Sequence, residues 1–533
     1  MKRYFVPWVL VAGLGMTATA THAQFDPARM LVEPASIAER YPDPKVSYPT
    51  PGLREGRTDF PSHAEVFAFL DGLARKSKHL RVETIGHSQR GLAMAMLVLS
   101  ATGQPDPGRP TVMVMGQQHG NEPSGGEAAL VLAQQLAGPR SELLDHVNVL
   151  IVPRANPDGA EGFTRVTAGG IDVNRDHLLL QTPEARALAA ATLRHRPQVV
   201  MDLHEFTVGG RWVEKFGAME KYDALLQPAA VGNLDPAITE VAQSQFVDHV
   251  QSVLRAQGLL SFRYHTTSND AKDKTVSMGG VQPDTGRNVS GLRPAISLLI
   301  EVRGVGLGRA HFLRRVHTQA LAALTVVETA AGMGQRLVKL VHEAEVRSAA
   351  QACRGDMVIE ARLSPTRQMM EFLDAKTGAD LPVEVDWRAA TPLQVVRSRP
   401  RPCGYLLAAN QEDVISRLRL LGVRVQPVTK TVSWDVERYV VTAEDDGQRQ
   451  DSRGAIEDAQ PIRALQVRTE RGKESVGAGL VYIGLDQPLA PLIAAAMEPD
   501  SQNSYVANRL LDLEPSQLRR VMRKPPAALL RAR

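Results

Sequence analysis

Residues 111–137 read TVMVMGQQHGNEPSGGEAALVLAQQLA. After Thr111, residues 112–115 are an uninterrupted apolar run, the pattern of a strand buried on both faces. From Pro123, a residue suited to a first helical turn, the stretch to Ala137 has the composition of a helix. Between them a glycine-rich loop places His119 and Glu122 three residues apart. The same alternation recurs outward. VNVLIVP (147–153) reads as a strand, with the turn NPDG at 156–159; EARALAAATLRHR (184–196) reads as a helix; QVVMDL (198–203) and AISLLIEV (295–302) read as strands. Upstream, SHAEVFAFLDGLARKSKHL (62–80) has helical spacing with Ser62 as cap, and LRVETIGHSQRGLAMAMLVLS (80–100) reads as two strands around a Gly-Ser turn. The expected fold class is therefore α/β, with a mostly parallel sheet flanked by helices.

The chain has 533 residues, more than one ordinary domain. Residues 1–23 have a basic start at Lys2 and Arg3, an apolar stretch and then small residues, the layout of a signal peptide cut before Gln24. A cleaved signal implies export to the periplasm or beyond; an uncleaved anchor is the other reading of such a segment. Residues 24–58 are proline-rich and read as an extended lead-in, 59–340 as the main α/β domain and 341–533 as a second, mixed α+β domain. Within the latter, 404–428 reads as strand, helix, strand, and the polar stretch 443–475 as a loop or flexible connection. The 62 Lys+Arg against 58 Asp+Glu leave a formal charge of +4, which calls for no nucleic-acid partner. The basic end, with Arg519, Arg520, Arg523, Lys524, Arg531 and Arg533, reads as a solvated tail. Cys353 and Cys403 allow either one disulfide or two separate thiols.

Ligands of open α/β sheets bind beyond the carboxyl ends of the strands. Three such ends carry His119 with Glu122, His204 (in MDLHEF) and Glu301 (in LLIEVRG). Two imidazoles and a carboxylate are a zinc ligand set with a position left for water. A carboxylate such as Glu301 in an apolar strand needs a cation or a task, because burying it unpaired is costly. Gly86-His87-Ser88-Gln89-Arg90 only approximates a nucleophile elbow, since Arg90 replaces the second glycine, and Ser88 reads as a turn residue.

The motifs HGNE (119–122), NPDG (156–159), DVNR (172–175), DLH (202–204) and LLIEVRG (298–304) resemble, in kind and order, those of the zinc metallocarboxypeptidases of the carboxypeptidase A/B type. IGHSQRG (85–91) looks like that family's early hairpin. The resemblance covers roughly residues 60–335 and implies an eight-stranded mixed sheet with flanking helices. It implies one zinc ion per chain on His119, Glu122 and His204, with Glu301 as the catalytic glutamate. It further implies Asn174 and Arg175 as the grip on a peptide's terminal carboxylate, Arg165 beside the scissile carbonyl, and Asp172 orienting the first histidine. The expected partner is a peptide with a free C-terminal carboxylate.

One departure stands out. The family's mobile tyrosine precedes its catalytic glutamate, yet residues 272–294 contain none; the twin glycines Gly279 and Gly280 place Thr275 near that position, and Tyr264 is the nearest tyrosine upstream. Asp284 and Arg287 follow those glycines, either to read a charged substrate group or to pair with each other. Two alternatives to an exported carboxypeptidase stay open: a zinc hydrolase of cell-wall peptides or N-acyl amino acids, and a non-catalytic binding module of the same fold.

Overall fold

A computed structural model describes residues 25–456, 460–512 and 517–530. The signal-peptide segment and residues 531 and 533 lie outside the described residues. The central sheet has eight strands: β1 (Leu80–His87), β2 (Ala93–Leu99), β3 (Thr111–Gly116), β4 (Asn148–Val152), β5 (Val199–Thr207), β6 (Ala224–Pro228), β7 (Ser261–Arg263) and β8 (Ile296–Val305). Their order is β1-β2-β4-β3-β5-β8-β6-β7. The pairs β3/β4, β3/β5, β5/β8 and β6/β7 are parallel, and β1/β2, β2/β4 and β8/β6 antiparallel. The sheet is thus mixed and mostly parallel, as expected.

The unbroken apolar strands are explained by helices on both faces. Successive strand residues point to opposite sides. In β3, Val112 and Val114 enter one core with Leu130 and Val327, while Met113 and Met115 enter another with Leu188. The helices that supply these residues are α2 (Pro123–Leu136), α4 (Pro183–His195) and α6 (Phe312–Met333). The first helix, α1 (His63–Ala74), starts at a capping box in which Ser62 and Glu65 bond reciprocally. NPDG is not a free turn: Asn156 caps α3 (Pro157–Gly162), its side chain accepting from the Gly159 amide. α5 (Gly286–Leu292) and α7 (Gln335–Ala350) complete the helices used below, and residue 340 lies inside α7. Among the described residues no helix is long and apolar enough to cross a membrane.

The region beyond α7 is sheet-rich and fastened to the rest. Strands β9 (Asp356–Asp374) and β10 (Asp380–Pro400) form a long hairpin whose residues 386–388 pair with 275–277 and 372–374 with 218–220. Leu178, Leu179 and Leu292 share a core with Tyr405, Leu418 and Ile493. Cys353 and Cys403 form a disulfide.

Two expectations are corrected here. The stretch 443–475 is no loop: β11 (Val432–Gly447) and β12 (Ile462–Val476) pair along their lengths. Trp434, Val436 and Tyr439 are buried, but from Val441 on the first strand is exposed, so this part carries charges rather than alternating apolar residues; charges pair across the strands, as with Asp435–Arg471 and Glu444–Arg463. Nor are Arg519 and Arg520 a solvated tail. They lie in the strand Leu518–Val521; Arg519 pairs with Glu474, and the fully buried Arg520 pairs with Glu437 and Glu498.

Candidate active site

The loop after β3 carries His119 and Glu122 across the start of α3, and the approach is so close that only glycine fits between them. A Cβ on Gly120 would lie 1.8 Å from the Gly159 carbonyl carbon and 2.2 Å from the Ala160 nitrogen. His204 comes from β5 and Glu301 from the neighbouring β8, where the two are register partners. All four are buried.

Three donor sets converge. His119 Nδ1 lies 2.8 Å from Glu122 Oε1 and 3.0 Å from His204 Nδ1, which lies 2.9 Å from Glu122 Oε2. His119, Glu122 and His204 form the group among the described residues able to hold a metal ion. Each imidazole is backed on its other nitrogen by a carboxylate: Asp172 Oδ1 at 3.1 Å from His119 Nε2, and Asp202 Oδ2 at 3.0 Å from His204 Nε2. Such backing fixes ring orientation and raises ligand basicity. The Glu205 amide donates to Glu122 Oε2 at 3.0 Å, fixing that carboxylate too. This arrangement suits a borderline cation such as zinc.

The charges are mutually dependent. Burial opposes ionisation of Glu122, but His119 and His204 outweigh it and hold the carboxyl well below its usual range. Burial likewise opposes the charge on Asp172, and Arg165 with His119 reverses it. Burial opposes a charged His204, yet Asp202 and Glu122 raise it well above an ordinary histidine. A dication at their centre would take the place of those protons. For Glu301 burial wins: with Glu122 adding repulsion, its carboxyl is pushed up to about 8.

A cavity of about 340 Å³ opens beside this group, lined by His119, Glu122, Arg165, Asn174, Arg175 and Glu301 among others. The structure therefore brings His119, Glu122, Arg165, Asn174, Arg175 and Glu301 to one cavity, with His204 and Asp172 against His119. Arg165 is held by Asp172 Oδ2 through Nε at 3.1 Å and Nη2 at 2.8 Å, and its Nη1 lies 3.5 Å from Glu122 Oε1. Asn174 Oδ1 accepts from the Gly286 amide at 2.9 Å, and Nδ2 lies 3.3 Å from His204 Nε2. Arg175 is not an open fork: its Nη2 donates to Asp451 Oδ2 at 2.7 Å and its Nη1 to the Asn174 carbonyl at 3.2 Å. Asp284 and Arg287 do not pair with each other; Asp284 faces Arg449 at 3.3 Å. Thr275 lies in a short strand and Tyr264 lines the cavity, so Tyr264 is the tyrosine near the chemistry.

Four contributors escaped the sequence reading. Asp202 was legible, since it stands two residues before His204 on one strand and so on the same face. Asp451, Ser452 and Arg453 were not. They come from a small hairpin, Gln450–Asp451 with Gly454–Ala455, that the second region pushes into the cavity.

The zinc carboxypeptidase family model matches residues 66–195, which include His119, Glu122, Arg165, Asp172, Asn174 and Arg175. Carboxypeptidase 2 of Trichophyton rubrum is 27% identical over 468 residues, 86% of this chain and 85% of its own length. Carboxypeptidase 2 of Trichophyton equinum is 26% identical over 466 residues, with the same coverage of 86% and 85%. A solved metallo-carboxypeptidase from Burkholderia cenocepacia overlaps 50% of this chain and 69% of its own at 20% identity and a TM-score of 0.38, too loose a likeness to build on. Residues 66–195 thus match a zinc carboxypeptidase domain, and the two relatives aligned over 86% of this chain are both carboxypeptidases.

Proposed function

We propose that the protein is an exported carboxypeptidase that removes C-terminal residues from peptides with one zinc ion held by His119, Glu122 and His204. The observation that carries this reading is the convergence of those three side chains at one sheet edge, with Glu301 opening on the same cavity. A bound zinc ion would supply Lewis acidity, lowering the pKa of a water and polarising a carbonyl. The chain's own residues do the rest. Glu301 takes the proton of the attacking water and passes it to the leaving nitrogen. Arg165, fixed by Asp172, faces the oxyanion that develops. Asp172 and Asp202 keep the two imidazoles aimed inward.

Asn174 and Arg175 receive the terminal carboxylate. Arg175 Nε is buried without a hydrogen-bond partner, so its guanidinium has a donor to spare beside the Asp451 pair. Export rests on the layout of residues 1–23 and on nothing in the fold, and places the enzyme in the periplasm or outside the cell.

The test is direct. The full chain, loaded with zinc, should bind one ion, hydrolyse a blocked dipeptide with a free carboxylate, and leave its amide untouched. His119→Ala and His204→Ala should each lose most of the zinc. Equal cleavage of free and amidated peptides would overturn the exopeptidase reading, and full zinc in both variants would overturn the ligand assignment.

A further inference from the structure

The cavity wall beside the candidate metal centre holds more positive charge than its own carboxylates balance. Arg175 and Arg453, which line the cavity, and Arg449, which donates to the Arg175 carbonyl, meet only two aspartates. Asp284 is set against Arg449 at 3.3 Å, and Asp451 serves both Arg175, at 2.7 Å, and Arg453, at 3.4 Å. Arg287 has no ion pair within 4.0 Å among the described residues, although it is only 5% exposed. Its Nη2 donates to the Gly280 carbonyl at 2.9 Å and its Nε to Asn288 Oδ1 at 3.4 Å. Gly279 makes room for it, since a Cβ there would lie 2.8 Å from Arg287 Nη1. A buried guanidinium held only by neutral acceptors, in a space cleared for it, lacks its anion.

Glu301 does not close this account. It shares the cavity but lies beyond ion-pair range of Arg287 and Arg453, and in the reading above it serves the attacking water. The metal ligand Glu122, together with Asp172, is set against Arg165. Glu205 is set against Arg315, and Glu220 against His265. Arg453 sits on the hairpin of the second region, opposite α5, which carries Arg287. Its side chain is 32% exposed and opens on the same cavity.

We propose that this pocket takes a peptide end bearing two carboxylates, the terminal one and an acidic side chain, with Arg287 and Arg453 as the residues that read the second. The inference rests on the carboxypeptidase reading and names its substrate class: peptides ending in glutamate, aspartate or another dicarboxylic residue. The terminal carboxylate goes to Arg175, which shares Asp451 with Arg453. The acidic side chain goes between helix α5 and the hairpin. The second region is then part of the substrate site rather than an appendage.

The experiment compares blocked dipeptides ending in Glu, Gln, Leu and Lys on the zinc-loaded full chain. In parallel, calorimetry measures binding of N-acetylglutamate and N-acetylglutamine. The two ligands differ by one charge at nearly constant shape. A charge-assisted hydrogen bond predicts Glu over Gln by about 10–100-fold in both kcat/KM and affinity. Arg287→Gln and Arg453→Gln should each shrink that ratio, and together bring it near one. The partly exposed Arg453 gives a variant that does not endanger folding. Glutamine handled as well as glutamate, or a ratio untouched in both variants, overturns the proposal while cleavage of the neutral dipeptides upholds the carboxypeptidase reading. If no dipeptide is cleaved, that reading fails; a charge preference in binding that the variants abolish would still uphold the pocket, and its absence would overturn it.

Discussion

Gly120→Ala tests whether the loop between His119 and Glu122 is held by contact with α3. The added methyl carbon would lie 1.8 Å from the Gly159 carbonyl carbon, 2.1 Å from its oxygen and 2.2 Å from the Ala160 nitrogen. Carbon contacts settle near 3.5–4.0 Å, so loop and helix must part by roughly 1.5–2 Å. All three obstructing atoms are backbone, and no rotamer change relieves them. The donor atoms of His119, Glu122 and His204 stand 2.8–3.0 Å apart. Metal ligands tolerate only about 0.2 Å of misplacement. Changes in the layer behind a metal's ligands alone cost about 10–100-fold, so displacing the ligands should cost at least ~100-fold in zinc affinity and kcat/KM. Overpacking itself costs about 1–3 kcal/mol, which in a chain this long lowers the melting midpoint by only about 2 °C. The variant should therefore be folded, metal-poor and inactive. Metal analysis, a thermal melt and kcat/KM on a blocked dipeptide measure all three. Gly72→Ala is the control, because nothing lies within 4 Å of its Cβ position in α1; it should gain about 0.5–1 kcal/mol and keep full activity. A Gly120→Ala protein with stoichiometric zinc and kcat/KM within about threefold of the parent would refute the reasoning.

Glu301→Gln should keep its zinc and its affinity for N-acetylglutamate while kcat falls by about 10²–10⁴-fold, the usual cost of losing a general base; an unchanged kcat removes Glu301 from the reaction. Asp451→Asn leaves Arg175 buried without its carboxylate and should cost about 3 kcal/mol of stability in the free protein. A free-carboxylate ligand should then raise the melting midpoint more than it does in the parent, and an equal rise would show that Arg175 does not meet the ligand. Burial pushes Asp176 up to about 6, against the three donors it accepts from Gln181 and Thr182. Its folded pKa lies above the unfolded value of about 3.9, so its contribution is fully present below pH 4 and is lost as pH rises through 6. Asp176→Asn should flatten the pH dependence of stability between about pH 4 and 7, by roughly 1–3 kcal/mol across that window; a slope identical to the parent's would point to another group.

The group able to hold a metal was legible because each member sits at a place local pattern defines. His119 and Glu122 follow an apolar strand and precede a helix, and His204 and Glu301 end apolar strands of the same kind. In a mostly parallel sheet those ends share one edge, so strand recognition alone brings the four together. Asp202 was legible by the same alternation, two residues from His204. The pairing of 443–475 was not, because a stretch largely exposed on both faces has no apolar period to reveal it; its charges find partners only once the second strand is beside the first. Arg175 shows the limit most clearly. Its neighbours in DVNR suggest a fork waiting for a carboxylate, but the carboxylate already on it is Asp451, 276 residues further along the chain. Strand periods and motif spacing are set by residues a few positions apart, and they carry the sheet, its edge and the donors placed there. The charge of the pocket is set by which distant segments pack against that edge, and only the tertiary structure decides that the hairpin at 450–455 is one of them.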